Sequence, residues 1–243
     1  IRNCDWSSDV CSSDLWQEGR LLATYKDGRA HLNAYVDDYA FLIAALLESL
    51  QADFRIEELA FARELADALL ERFEDAANGG FFFTSHDHEK LIHRSKPGFD
   101  SATPAGNGVA AFALNRLGHI TGDARYLRAA ERAIAAFQPA ISQHPAGFAS
   151  TLGALAEVLE PTRVAVLRGE RDALAPWLRA LGAEYHPDAV VLGVPGDVER
   201  LPEVLAKPAG SGVNAYICQG VTCSAPVSEI ELTRSLLMPA RIE

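Results

Sequence analysis

The sequence predicts a mainly α fold: helical hairpins stacked in two layers, as in a solenoid or an α/α toroid, followed by a small α/β unit. Three observations carry this. From Tyr35 to Glu160, helical segments that are apolar all round alternate with amphipathic ones. Polar residues collect just before the apolar helices. After Pro161 the apolar period shortens from that of helices to that of strands.

The first helix, about Val36 to Leu50, is apolar on nearly every side in YAFLIAALLESL. The second, about Ile56 to Phe73, sets Leu59, Ala62, Ala66, Leu69, Leu70 and Phe73 against a stripe of Glu57, Glu64, Asp67, Glu71 and Glu74. The third, about Ala105 to Leu117, is apolar again. The fourth, about Ala124 to Phe137, is amphipathic, with Asp123 placed as its N-cap. The fifth, about Ala146 to Leu159, is small and apolar between Pro145 and Pro161. A helix apolar all round is buried, and an amphipathic one has a wet side. Strict alternation therefore implies an inner and an outer layer visited in turn, as in stacked helical hairpins or a ring closed from them. The inner helices then run parallel, and their N-termini gather at one mouth.

Beyond Pro161, RVAVLRG and AVVLGV read as strands with the helix ERDALAPWLRALG between them. NAYICQG reads as a third strand, and SEIELTRSLL as a closing helix with Ser228 as N-cap and Glu231 at capping-box spacing. This pattern predicts a mostly parallel sheet.

The opening CDWSSDVCSSDL has neither period. Asp5 to Leu15 reverse-translates to a common sequencing-library adapter, with Ile1 to Cys4 from the same join, and such a scar has no part in the fold. The expected organisation is therefore residues 1–15 as a disordered artefact, 16–161 as the partial toroid and 162–243 as the α/β unit. The chain carries a formal net charge of −11; Arg2 against Asp5, Asp9 and Asp14 supplies −2 of it, leaving about −9. An acidic surface argues against nucleic acid as a partner. No apolar run reaches the roughly 18 residues of a membrane span, so no membrane role and a cytoplasmic location are expected. Beyond the scar only Cys218 and Cys223 remain. Their C-x4-C spacing is read as two partly buried free thiols, with a disulfide as the alternative.

AYVDDYAFLIAALLE, GGFFFT, DSATPAGNGVAA, HITGD and the closing AYICQGVTCSAPVSE together resemble the thioredoxin-domain-containing proteins related to spermatogenesis-associated protein 20. The resemblance runs from about Trp16 to the C-terminus. It implies a helical toroid similar to sugar 2-epimerases and six-hairpin glycosidases. It also implies an N-terminal thioredoxin-like domain acting in cis, which is missing from this sequence.

Candidate chemistry lies before the inner helices. Asp38 and Asp100 are the expected catalytic pair, since two carboxylates flanking a sugar are what glycoside chemistry uses. Tyr35, Asp37, Tyr39, His93, Thr103 and Asn107 are the expected substrate-binding residues. Each also has a structural reading: first-turn acids stabilise a helix dipole, and Asp, Thr and Asn belong at turns and caps. The loop holding His86, Asp87, His88 and His93 is long and is expected to form a β-hairpin, FFFT against KLIHR. H-x-H places two imidazoles on one strand face, but spacing fixes no third ligand, so no metal and no cofactor is expected. No strand-G-x-G-x-x-G-helix unit is present, which argues against nucleotide binding. Two functions stand: a carbohydrate-active epimerase or hydrolase with its site in the mouth, or a non-catalytic scaffold module serving the thioredoxin-like domain.

Overall fold

The computed structural model describes residues 15–89 and 91–237. Most of the adapter reading, and Trp6 with it, lies outside the described residues. Leu15 lies within them and packs, partly buried, against the main core.

The chain begins with a three-stranded antiparallel meander: β1 (Trp16–Gln17), β2 (Arg20–Lys26) and β3 (Arg29–Asn33). Both turns are two-residue turns with positive φ throughout, Glu18-Gly19 at 52° and 73° and Asp27-Gly28 at 51° and 78°. These are the twisted turns that suit hairpins, for which Asp-Gly is a strong signal. The meander packs on the first helical hairpin. Leu21 donates its amide to the Tyr39 hydroxyl at 2.8 Å, and the Trp16 ring meets Tyr39 and Phe61 edge-on.

Five helices then alternate as predicted: α1 (Val36–Ala52), α2 (Ile56–Phe73), α3 (Gly106–Thr121), α4 (Ala124–Gln143) and α5 (Ala149–Leu159). α3 lies between α1 and α5, while α2 and α4 pack outside as the return arms of two hairpins. α3 is buried almost all round. Tyr126, Ala130 and Ile134 of α4 point inward as its stripe requires. Asp123 caps α4 by accepting from the Arg125 amide at 2.9 Å. Gly122, at φ 74°, closes α3 in the left-handed conformation that favours glycine.

Across Pro161 the core is continuous. Val164, Val166, Val190 and Leu192 join one apolar cluster with Ile43, Leu47 and Leu50 of α1. The sheet is formed by β4 (Arg163–Gly169), β5 (Ala189–Pro195), β6 (Asn214–Gln219) and β7 (Thr222–Cys223), in the order β5-β4-β6-β7. Its other face, with Ala165 and Leu167, packs on α6 (Arg171–Gly182) and α7 (Ile230–Leu237).

Several expectations need correction. The sheet is mixed, with β4 parallel only to β5 and antiparallel to β6, which pairs in turn with β7 in antiparallel fashion. The chain after β5 returns on the other side of β4, an outcome that strand periodicity does not specify. FFFT and KLIHR form no hairpin among the described residues. Only a single bridge joins Glu74 to Phe81, and the Phe83 amide donates to the Ser95 carbonyl. Side-chain clasps hold this loop in place of a ladder: Arg94 to the Thr84 carbonyl, and Lys96 to Asp75 and the Gly79 carbonyl. The fifth helix opens with a 3-10 turn, Pro145–Phe148. α7 begins at Ile230, so the position ahead of it is Glu229, whose carbonyl accepts from Thr233; Ser228 lies one residue too early. Cys218 and Cys223 are joined by a disulfide. Gly220 and Val221 turn the chain so that the two cysteines face each other across β6 and β7, with Cα atoms 3.9 Å apart. Spacing alone hides that turn.

Candidate functional site

The starts of the three inner helices meet. A Cβ on Gly106, in the first turn of α3, would lie 2.0 Å from Oδ1 of Asp37 in the first turn of α1. A Cβ on Gly108 would lie 2.1 Å from the hydroxyl of Ser150 at the start of α5. The N-terminal ends of three helices bring positive potential to this mouth.

Asp38 is exposed and accepts from the Tyr35 amide at 2.8 Å, closing the start of α1. Its neighbour Asp37 is half-buried, and its carboxyl pKa is raised: burial is the main cause, the Asp38 charge adds to it, and the Gly106 amide partly offsets it. Tyr35 stacks on Phe83 at 4.7 Å between centroids, with His88 at 5.9 Å.

Asp100 accepts from the Ala105 amide at 2.8 Å, the Ser150 amide at 2.9 Å and the Ser150 hydroxyl at 2.6 Å. Burial alone would raise its pKa, but the Ser150 hydroxyl and these amides hold it low. It therefore fastens the starts of α3 and α5 together. Asn107 is buried and fully engaged. It accepts from the Phe81 amide and donates to the Phe81 and Pro97 carbonyls, tying the long loop to α3. Tyr39 is buried, with its hydroxyl engaged by Leu21. Thr103 is exposed, and its carbonyl accepts from the Ser101 amide. His93 is exposed on the long loop. The structure thus gathers Tyr35, Asp37, Asp38 and Asp100 around three helix starts. Tyr39 and Asn107 sit beneath, as packing and clasp.

On the flank, Asp87 is held by Arg20 and Arg72. Burial works against its ionised form, yet Arg20 and the Ser85 hydroxyl bring its pKa down to about 2. No group of three metal-ligating side chains occurs among the described residues. No helix among them is long and apolar enough to cross a membrane.

At the far ends of the same helices lies a second polar centre that sequence reasoning missed. Arg116 of α3 and Glu157 of α5 are both buried and joined by contacts of 2.6 and 2.9 Å. Arg116 also reaches Glu48 of α1 at 3.2 Å and the Pro187 carbonyl at 2.8 Å. The signal was present in the sequence. A charge set in an otherwise apolar helix must find a partner when buried, and Arg116 and Glu157 each interrupt such a helix.

An inner and outer helical layer closed by a mixed sheet is the class of protein these features define. The chain is similar over nearly its whole length to human spermatogenesis-associated protein 20, with 26% identity over 238 residues, covering 91% of this chain and 30% of the human protein. The rat protein of the same name is 26% identical over 84% of this chain. An uncharacterized protein of Caenorhabditis elegans is 24% identical over 85% of it. The chain spans about 30% of the length of these relatives. No family model matches it. The similarity supports the family link that its motifs suggest.

Proposed function

We propose that the chain is part of a longer protein related to spermatogenesis-associated protein 20, and that its helical region is a portion of an α/α toroid whose mouth binds a carbohydrate. The observation that carries this reading is the stacked Tyr35–Phe83 pair beside the adjacent carboxylates Asp37 and Asp38, where three helix starts converge. Aromatic faces accept the apolar side of a sugar ring, and carboxylates accept from its hydroxyls. In this reading the exposed Asp38 contacts the sugar. Asp37, whose pKa is raised, is the carboxyl best suited to carry a proton. Asp100 stays ionised and positions the starts of α3 and α5. The reaction class is epimerisation of a sugar or hydrolysis of a glycoside.

The test is ligand-detected NMR of the full chain with a panel of mono- and disaccharides. At least one sugar is expected to bind, and both Tyr35→Ala and Asp38→Asn to weaken it about tenfold or more, the effect of losing about 1.4 kcal/mol. Binding that neither variant changes, or no binding across the panel, rejects the reading.

A scaffold role serving a thioredoxin-like domain in cis is the second reading. It is favoured by one observation: Asp100 and Asn107 are engaged in internal hydrogen bonds. An absence of sugar binding, together with retained affinity for the separately expressed domain, would decide for it.

A further inference from the structure

The inner helices have two polar ends, and the mouth accounts for one. Their other ends, together with α6, border a cleft-like cavity of about 710 Å³, open on one side. That size lies within the range of small-molecule sites. Phe112, Leu178 and Leu181 give it an apolar wall, and Gly153 of α5 opens onto it.

The electrostatics of this cavity are one-sided. α1 ends at Ala52, α5 at Leu159 and α6 at Gly182, all bordering the cavity. Helix C-termini carry negative partial charge. Arg116 is the one cation among the residues lining it, and its guanidinium is already held by Glu157, Glu48 and the Pro187 carbonyl. An anion would have to displace a buried carboxylate to reach it. The unmet groups are mostly acceptors. Glu160 has no side-chain partner among the described residues. Arg163 engages one oxygen of Asp188. The other, Oδ1, and both ring nitrogens of His186 are shielded from solvent and have no partner among the described residues. A carboxylate only accepts hydrogen bonds, and a neutral imidazole offers one acceptor. A neutral apolar guest would leave these groups unsatisfied, and a site built for hydrogen bonds discriminates strongly against a guest that lacks them.

We infer that this cavity binds a small organic cation, a protonated amine carried on an apolar or aromatic body. The ammonium donates to the exposed Glu160 at the negative helix ends and, once the side chains of Asp188 and His186 turn toward the cavity, to their unpartnered acceptors. The body lies against Phe112 and Leu181. The cavity lies at the opposite end of the helices from the mouth, and its ligand does not depend on the carbohydrate reading.

The experiment titrates the full chain with 2-phenylethylamine, with 2-phenylethanol as neutral isostere and phenylacetate as anion, by calorimetry and ligand-detected NMR at neutral pH. The amine is expected to bind at least about tenfold more tightly than the alcohol, to weaken with added salt, and to outcompete phenylacetate. Two variants locate the site. Glu160→Gln removes an exposed charge and is expected to lower amine affinity severalfold at an unchanged melting temperature. Gly153→Phe places a ring where a Cβ meets nothing within 4 Å, which fills the cavity and is expected to abolish binding. Tyr35→Ala, at the mouth, leaves amine binding intact. No amine binding, equal or tighter binding of the alcohol or the carboxylate, or full affinity in either cavity variant overturns the inference.

Discussion

The guanidinium of Arg116 and the carboxylate of Glu157 form a fork-like pair that links α3 to α5, with the two residues 41 positions apart in sequence. Both side chains are less than a tenth exposed, at 8% and 6%. Thr162 adds a hydroxyl donor to Glu157 at 2.9 Å from the first residues beyond the helices. This one carboxylate thus joins the helical layer to the sheet. Its position explains why an ion pair persists in a layer that is otherwise apolar.

Removing one partner leaves the other charge buried and uncompensated, which typically costs about 3–5 kcal/mol. Glu157→Gln and Arg116→Met are each expected to lower stability by about that amount in urea denaturation. The double variant Arg116→Met with Glu157→Leu is expected to recover most of it, because well-packed apolar residues replace a buried pair at little net loss. If the double variant is as unstable as the sum of the singles, the pair is not a coupled unit.

The Asp100–Ser150 contact fixes the start of α5 to the loop ahead of α3. Asp100→Asn keeps the shape but loses the charge that strengthens three hydrogen bonds, and is expected to cost about 1–3 kcal/mol. For a chain of this size that lowers the melting temperature by roughly 2–4 °C per kcal/mol. Ser150→Ala is expected to cost less, since the amides remain. Thermal melting of the two variants orders them, and a larger loss in Ser150→Ala than in Asp100→Asn contradicts the assignment.

Asp37 gives a pH test with a definite sign. Burial raises its pKa above that of the unfolded chain, so the folded state binds its proton more readily. The stability it contributes is fully present below the unfolded value of about 3.9 and is lost as the pH rises through the folded value. Asp37→Asn mimics the protonated form without the cost of ionisation. The variant is therefore expected to melt above the parent near neutral pH, with the gap closing as the pH falls toward 4. Asp87 works oppositely. Its pKa is lowered to about 2, so its contribution is present above about 3.9 and fades as the pH falls toward 2. A melting gap for Asp37→Asn that widens on acidification refutes the raised pKa.

The helical alternation was legible because burial writes itself into periodicity. α3 reads as apolar all round and is buried all round; α4 reads as striped and has one wet face. The meander over residues 16–33 escaped notice although Asp27-Gly28 is a hairpin signal, because Leu21 is its one fully buried side chain and the strands alternate weakly. The sheet order was not legible, since a strand buried on both faces, such as β4, has no alternation to fix its neighbours. At the mouth, residue type indicated polar chemistry but not its assignment. Asn107 and Asp100 look alike as candidates in sequence, and only the clasp to Phe81 and the bonds to Ser150 reveal that both are held inside the fold.

The closeness of the helix starts makes the last prediction. Gly108 sits in the first turn of α3, where an added Cβ would lie 2.1 Å from the Ser150 hydroxyl and 2.8 Å from the Thr151 amide nitrogen. The first obstacle is a side chain that can rotate away; the second is backbone of α5 and cannot. Alanine is otherwise the better helix former, by about 1 kcal/mol over glycine, so propensity alone predicts that Gly108→Ala stabilises. Steric contact predicts the reverse, because α5 must shift and the Ser150 hydroxyl must leave Asp100. At these separations sterics wins, and overpacking of this kind costs about 1–3 kcal/mol. Gly153, on the open side of α5 with nothing within 4 Å of its Cβ position, is the control: Gly153→Ala is expected to raise the melting temperature by the propensity term. Denaturation of both variants, with Ser150→Ala added to Gly108→Ala, separates the two effects. The pair is expected to recover only part of the loss, the part due to the hydroxyl. If Gly108→Ala is instead as stable as Gly153→Ala, the inner helices do not approach this closely, and the convergence at the mouth is overstated.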